Sequence, residues 1–147
     1  MAVRIQVTID CADPERLARF WADALRYQLE EPPDGSGSWS AYWRSRGLPE
    51  EELDDRYDSI VDPDGVGPRF WFQVVPEGKV VKNRVHLDLD ASGGRTVPLD
   101  TRRVRVDAEV ERLVAAGASV STVLSTDGLD HYAVVMRDPE GNEFCVH

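Results

Sequence analysis

The sequence predicts an α+β protein in which one β-α-β-β-β unit occurs twice in a single chain. Three observations predict it: strict apolar alternation at the start leading into a capped amphipathic helix, an internal repeat at constant offset, and an Asp-Pro-x-Gly turn before the last strand of each half.

Residues 3–11 alternate without exception, Val3, Ile5, Val7, Ile9 and Cys11 on one face and Arg4, Gln6, Thr8 and Asp10 on the other, which predicts a half-buried strand. Asp13 supplies an N-cap and Pro14 a first-turn residue. Leu17, Phe20, Trp21, Ala24 and Leu25 then recur at helical spacing, so a helix is expected over about 14–27. After a Pro-Pro and Gly-Ser loop at 32–38, Trp39, Ala41 and Trp43 alternate with Ser40, Tyr42 and Arg44, which predicts a second strand. A third is expected at 58–61, before the turn Asp62-Pro63-Asp64-Gly65, and a fourth at 69–75, rich in aromatic and β-branched residues.

The second half repeats this plan. Arg4-Ile5-Gln6-Val7-Thr8-Ile9-Asp10 lies over Arg84-Val85-His86-Leu87-Asp88-Leu89-Asp90, with polar and apolar positions in register. An exposed loop is expected over 93–103, then a helix capped by Asp107, with Val110, Leu113 and Val114 on its apolar face and Gly117 closing it. Strands are expected at 119–124 and 131–137. Asp138-Pro139-Glu140-Gly141 echoes the earlier turn, and Phe144-Cys145-Val146 echoes Phe72-Gln73-Val74. Residues 76–83 read as the connector. Each half is too small to bury a sheet face alone, so one domain over 1–147 is expected, made of modules at about 1–76 and 83–147.

Composition narrows the partners. A net charge of −10 repels a phosphate backbone, which argues against nucleic acid. The run Glu50, Glu51, Glu52, Asp54 and Asp55 is expected to be a solvated surface segment. No stretch reaches the roughly 20 apolar residues of a membrane span, and no basic amphipathic helix is legible. Two cysteines and a start that runs directly into a strand point to a cytoplasmic protein.

The strand ending in Cys-Ala-Asp, the helix Pro-Glu-Arg-Leu-Ala-Arg-Phe-Trp and the terminal Asp-Pro-Glu-Gly-Asn-Glu-Phe occur in that order. Together they resemble the glyoxalase/bleomycin-resistance/dioxygenase, or vicinal oxygen chelate, superfamily, in its glyoxalase-like branch. The resemblance covers nearly the whole chain. It implies two β-α-β-β-β modules whose curved sheets enclose a cavity for a small-molecule ligand, and association as a homodimer.

With the apolar faces of both first strands packed on helices, Gln6, Thr8, His86 and Asp88 are expected on the cavity side. Phe72, Val74, Phe144 and Val146 are expected inward, leaving Trp71, Gln73, Glu143 and Cys145 on the other face. Gln6, Gln73, His86 and Cys145 thus occupy the positions where metal-dependent relatives carry His, Gln or Glu. Gln73 and Cys145 stand where carboxylates would be expected. A hard octahedral ion prefers anionic oxygen, so the expectation is no cofactor or one divalent metal ion. His86 serves equally well as a hydrogen-bonded cavity histidine held by Asp88 or Gln6, and Cys145 as a small packing residue. Trp39, Trp43 and Trp71 either line a pocket for a flat ligand or pack the sheet. Three functions remain open: a ligand-sequestering protein, a lyase, isomerase or dioxygenase, and a non-catalytic interaction module.

Overall fold

The computed structural model describes residues 1–147 apart from the side chain of Asp34, and divides into two compact units, Met1–Pro76 and Glu77–His147. Unit 1 runs β1 (Gln6–Cys11), α1 (Pro14–Leu25), β2 (Gln28–Leu29), α2 (Trp39–Ser45), β3 (Ser59–Val61) and β4 (Arg69–Val74). Unit 2 runs β5 (Asp88–Leu89), α3 (Leu99–Ala115), β6 (Ser119–Ser125), β7 (Tyr132–Arg137) and β8 (Glu143–Val146). The sheets have orders β1-β4-β3-β2 and β5-β8-β7-β6. In each, the first strand runs parallel to the last and the other pairings are antiparallel. The two units therefore share one topology, with α2 inserted in the first.

Asp13 caps α1 by accepting from the Arg16 amide at 3.1 Å. Arg26, in the left-handed region at φ 57°, ends it, and the Tyr27 amide donates back to Ala22 at 2.8 Å. The chain thus leaves the helix two residues before the expected end and enters β2 at once. Leu17, Ala18 and Trp21 bury the helix face on the sheet with Ile60, Phe70 and Phe72. In unit 2, Val106 and Leu113 of α3 meet Val134, Met136, Phe144 and Val146. Each large side chain so buried contributes about 1.5–3 kcal/mol.

Several expectations are corrected. The strand expected at Trp39–Arg44 is the helix α2. Ser38 caps it by accepting from the Ala41 amide at 3.2 Å, and Trp39, Tyr42 and Trp43 also fit helical spacing. The acidic run is not merely solvated. Asp55 accepts from the Ser40 amide at 2.7 Å and Glu50 pairs with Arg44 at 2.6 Å, so both hold the ends of α2.

The second-unit helix does not begin at Asp107. It starts after Pro98, takes in residues 99–103 of the expected loop, and places Asp107 mid-helix, where its carboxylate accepts from the Tyr132 hydroxyl at 2.6 Å. The extra turns are held by Arg102, a buried cation that donates to the Val97 carbonyl at 2.9 Å and pairs with Asp130. Gly117, at φ 118°, follows its C-terminus as expected.

Of the strand expected over 84–90, only Asp88–Leu89 pairs. Val3 and Ile5 precede β1 and are exposed, as are Val74, 56% accessible at the end of β4, and Val114. Alternation alone does not report where a ladder stops.

Both Asp-Pro-x-Gly turns are built alike. Asp62 accepts from the amides of Asp64, Val66 and Gly67, which holds its carboxyl below the usual range. Buried Asp138 accepts from the amides of Glu140 and Asn142 and from the Asn142 side chain.

Candidate functional site

The β1–β4 ladder pairs Gln6 with Arg69, Thr8 with Trp71 and Asp10 with Gln73. Period two puts Arg69, Trp71 and Gln73 on the sheet face opposite the buried Phe70 and Phe72. A pocket of about 680 Å³ opens on this unit, and Gln6, Trp71 and Gln73 line it together with Trp39 and Trp43 of α2. Thr8, exposed beside Trp71 in the ladder, lies outside the lining.

The tryptophans are oriented by hydrogen bonds and stacking. Trp39 Nε1 donates to the Glu30 carbonyl and Trp71 Nε1 to Asp58 Oδ2, both at 3.2 Å. Trp39 and Trp43, one helical turn apart, stack with centroids 6.2 Å apart and planes at 24°. The floor is braced by Arg69, which donates to Glu30 at 2.5 and 2.9 Å, to Ser59 Oγ at 2.7 Å and to Gln6 Oε1 at 2.7 Å. Sequence reasoning missed Arg69 and Asp58. Alternation with Trp71 and Gln73 was enough to place Arg69 on that face, whereas Asp58 carried no sequence signal.

In unit 2, ligand atoms of His86, Asp88 and Cys145 lie within 4.8 Å of one another. Asp88 pairs with Cys145 in the β5–β8 ladder, which brings the thiol to the carboxylate. His86 Nδ1 lies 3.0 Å from Asp88 Oδ1. Burial, the Asp88 charge and a hydrogen bond to Asp88 push the Cys145 thiol above its ordinary pKa. Beside this group, Glu143 Oε2 accepts from the Asn83 amide at 3.0 Å and pairs with Lys79 at 3.1 Å. These contacts lower its carboxyl from 4.5 to about 2.

The imidazole, carboxylate and thiol fit a borderline ion such as Zn²⁺, whose three-ligand sites keep a fourth position open, better than a hard ion that wants oxygen alone. Gln6 and Gln73 do not form a corresponding pair in unit 1. Gln6 sits opposite Arg69, four residues before Gln73, a separation of roughly 13 Å along the strand.

The ladders also correct the expected echo. Ile60 pairs with Phe70 and Ser59 with Trp71, while Met136 pairs with Phe144 and Val135 with Cys145. Aligned on Asp62 and Asp138, the match to Phe144-Cys145 is therefore Phe70-Trp71 and not Phe72-Gln73. The cause is the segment Val66-Gly67-Pro68-Arg69, which stands where unit 2 has only Asn142-Glu143 between turn glycine and phenylalanine. An aromatic wall occupies in unit 1 the place that a thiol holds in unit 2.

No curated protein matches the chain. Solved structures do match, at identities that show the fold alone. One is a glyoxalase/bleomycin resistance protein/dioxygenase family enzyme from Burkholderia phytofirmans, 19% identical with TM-score 0.55, covering 96% of this chain and 94% of that one. A second is a mutant of the fosfomycin resistance protein FosX from Listeria monocytogenes, in complex with Mn(II) and 1S,2S-dihydroxypropylphosphonic acid, 12% identical with TM-score 0.62, covering 100% and 92%. A third is TioX from a Micromonospora species, 14% identical with TM-score 0.52, covering 99% and 97%. The family described as glyoxalase-like domain matches residues 6–147. With its paired β-α-β-β-β sheets and this match over nearly its full length, the chain belongs to the glyoxalase-like family of the vicinal oxygen chelate superfamily.

Proposed function

We propose that the protein binds a small organic molecule in the tryptophan-lined pocket of unit 1, and that this binding needs no metal. The observation that carries the reading is the arrangement of Trp39, Trp43 and Trp71 around about 680 Å³, a volume suited to a drug-sized ligand. Hydrogen bonds orient Trp39 and Trp71, so their contact area is offered at low entropic cost. A fragment library screened by ligand-observed NMR against the wild type, Trp43→Ala and Trp71→Ala tests this. Ligands lost from both variants support it, and ligands indifferent to both overturn it.

A second reading, metal-dependent lyase, isomerase or dioxygenase chemistry, is favoured by the His86, Asp88 and Cys145 group. These three residues would hold the ion, which would act as a Lewis acid toward a substrate oxygen. His86 would bind through Nε2 while Nδ1 is held by Asp88, or share the ion with Asp88 directly. The Cys145 thiol would give up its proton on binding. Elemental analysis after Zn²⁺ and Mn²⁺ loading and dialysis tests it. About one zinc per chain, lost in His86→Ala and Cys145→Ala, supports this reading, and no retained metal overturns it.

The reading includes a cytoplasmic setting, supported by Cys11 and Cys145 being thiols rather than a disulfide, and a homodimer, supported by the apolar residues Val120, Val123 and Leu124 exposed on edge strand β6. Analytical ultracentrifugation across a concentration series tests the dimer. Among the described residues, no helix is long and apolar enough to cross a membrane.

A further inference from the structure

We infer that the ligand of the unit 1 pocket is an organic cation with an aromatic or alkylated ammonium group. This deepens the small-molecule reading and rests on it.

Charge compensation beside the aromatic rings favours a cation. Glu52, Asp54 and Asp58 line the pocket, against Arg56 and Arg69. Both cations are already engaged. Arg69 directs its guanidinium to Glu30, Ser59 and Gln6, and Arg56 Nε lies 2.5 Å from Asp54 Oδ2. An incoming anion would have to compete with carboxylates in place for either one.

The acidic side is not balanced in the same way. Half-buried Asp58 accepts only from neutral donors among the described residues, Ser59 Oγ at 2.8 Å on one oxygen and Trp71 Nε1 at 3.2 Å on the other. Glu52 has no ion pair among the described residues. The pocket thus keeps carboxylate charge that no direct ion pair neutralises among the described residues, Arg69 reaching Asp58 only through Ser59 Oγ, next to an indole whose N–H is turned to that carboxylate. The negative faces of aromatic rings attract a cation, most strongly where water is displaced. Carboxylate and indole together favour a positive, weakly hydrated group over a phosphate, phosphonate or carboxylate. The same pairing leaves a strongly hydrated ion such as Na⁺ without advantage, because the rings supply no lone pairs to replace its water.

The test is a titration of the full chain, by tryptophan quenching and calorimetry, with the planar cation proflavine and the planar anion 9-anthracenecarboxylate. The expected result is one proflavine site per chain, with the anion at least about tenfold weaker. Asp58→Asn, which keeps the side-chain shape, is expected to weaken proflavine about tenfold and to leave the anion unchanged or tighter. Glu52→Gln, an exposed change that folding tolerates, is expected to act in the same direction and less strongly. Circular dichroism establishes that the variants fold. If the anion binds as tightly as the cation and depends on Trp43 and Trp71, the cation assignment is overturned while small-molecule binding at this pocket stands. Binding of neither compound, or binding indifferent to both tryptophans, overturns the cation assignment and counts against the pocket reading as well.

Discussion

At the scale of single residues, Arg69 is the side chain on which the pocket floor depends. Its four hydrogen bonds join β4 to Glu30 after β2, to Ser59 of β3 and to Gln6 of β1. Arg69→Met leaves half-buried Glu30 without its partner, and a loss of about 2 kcal/mol is expected in urea unfolding. Arg69→Lys is expected to recover part of it, since an ammonium cannot reproduce the planar fork. In unit 2 the side chain with a testable reactivity is Cys145. Because burial and Asp88 raise its thiol pKa, iodoacetamide is expected to modify it more slowly at pH 8 than a free thiol in chelator-treated protein. Asp88→Asn removes two of the three causes and is expected to speed the reaction, as read by mass spectrometry.

At the scale of elements, α2 is the wall that makes a pocket out of an open sheet face. It is only seven residues long and none of its residues is fully buried, so its ends matter more than its packing. Ser38→Ala is expected to cost about 1 kcal/mol at the helix and to weaken ligand binding with little change in the Tm of the whole chain. Asp55 makes the same helix sensitive to acid. Its folded-state pKa is depressed below 3.8, chiefly by the Ser40 amide, so its contribution is present above that value and is lost as pH falls through the lowered one. Tryptophan emission is expected to shift red below about pH 3.8 as α2 loosens, and Asp55→Asn is expected to reduce the shift.

Across the whole molecule, each unit has its own core, centred on Phe72 in one and Phe144 in the other, both about 1% exposed. Phe72→Ala and Phe144→Ala are each expected to cost about 3–5 kcal/mol in urea unfolding. The net charge of −10 adds self-repulsion that salt screens. Raising NaCl from low concentration to about 0.3 M is expected to increase stability by about 1 kcal/mol, or about 2–4 °C in Tm. The acid limb has a separate cause in Glu143. With its pKa lowered from 4.5 to about 2, its contribution is present above 4.5 and disappears as pH falls toward 2, a slope that Glu143→Gln is expected to flatten.

The β-α-β-β-β repeat, the cap at Asp13, both Asp-Pro-x-Gly turns and the inward Phe72, Phe144 and Val146 were legible in the chain, because each follows from local periodicity or from a turn that a few residues specify. That His86, Asp88 and Cys145 share one face was legible as well, since period two places them together. The structure alone decided the rest. Trp39, Tyr42 and Trp43 satisfy strand and helix spacing alike, and only the contacts of Ser38 and Asp55 selected the helix that forms the pocket wall. The register that pairs Trp71, not Gln73, with the place of Cys145 depended on loop length across a hairpin. The hydrogen bonds that occupy Arg69, and the one from Trp71 Nε1 to Asp58, join residues far apart in the sequence. Pairing and charge compensation are properties of what the fold brings side by side, and no local pattern carries them.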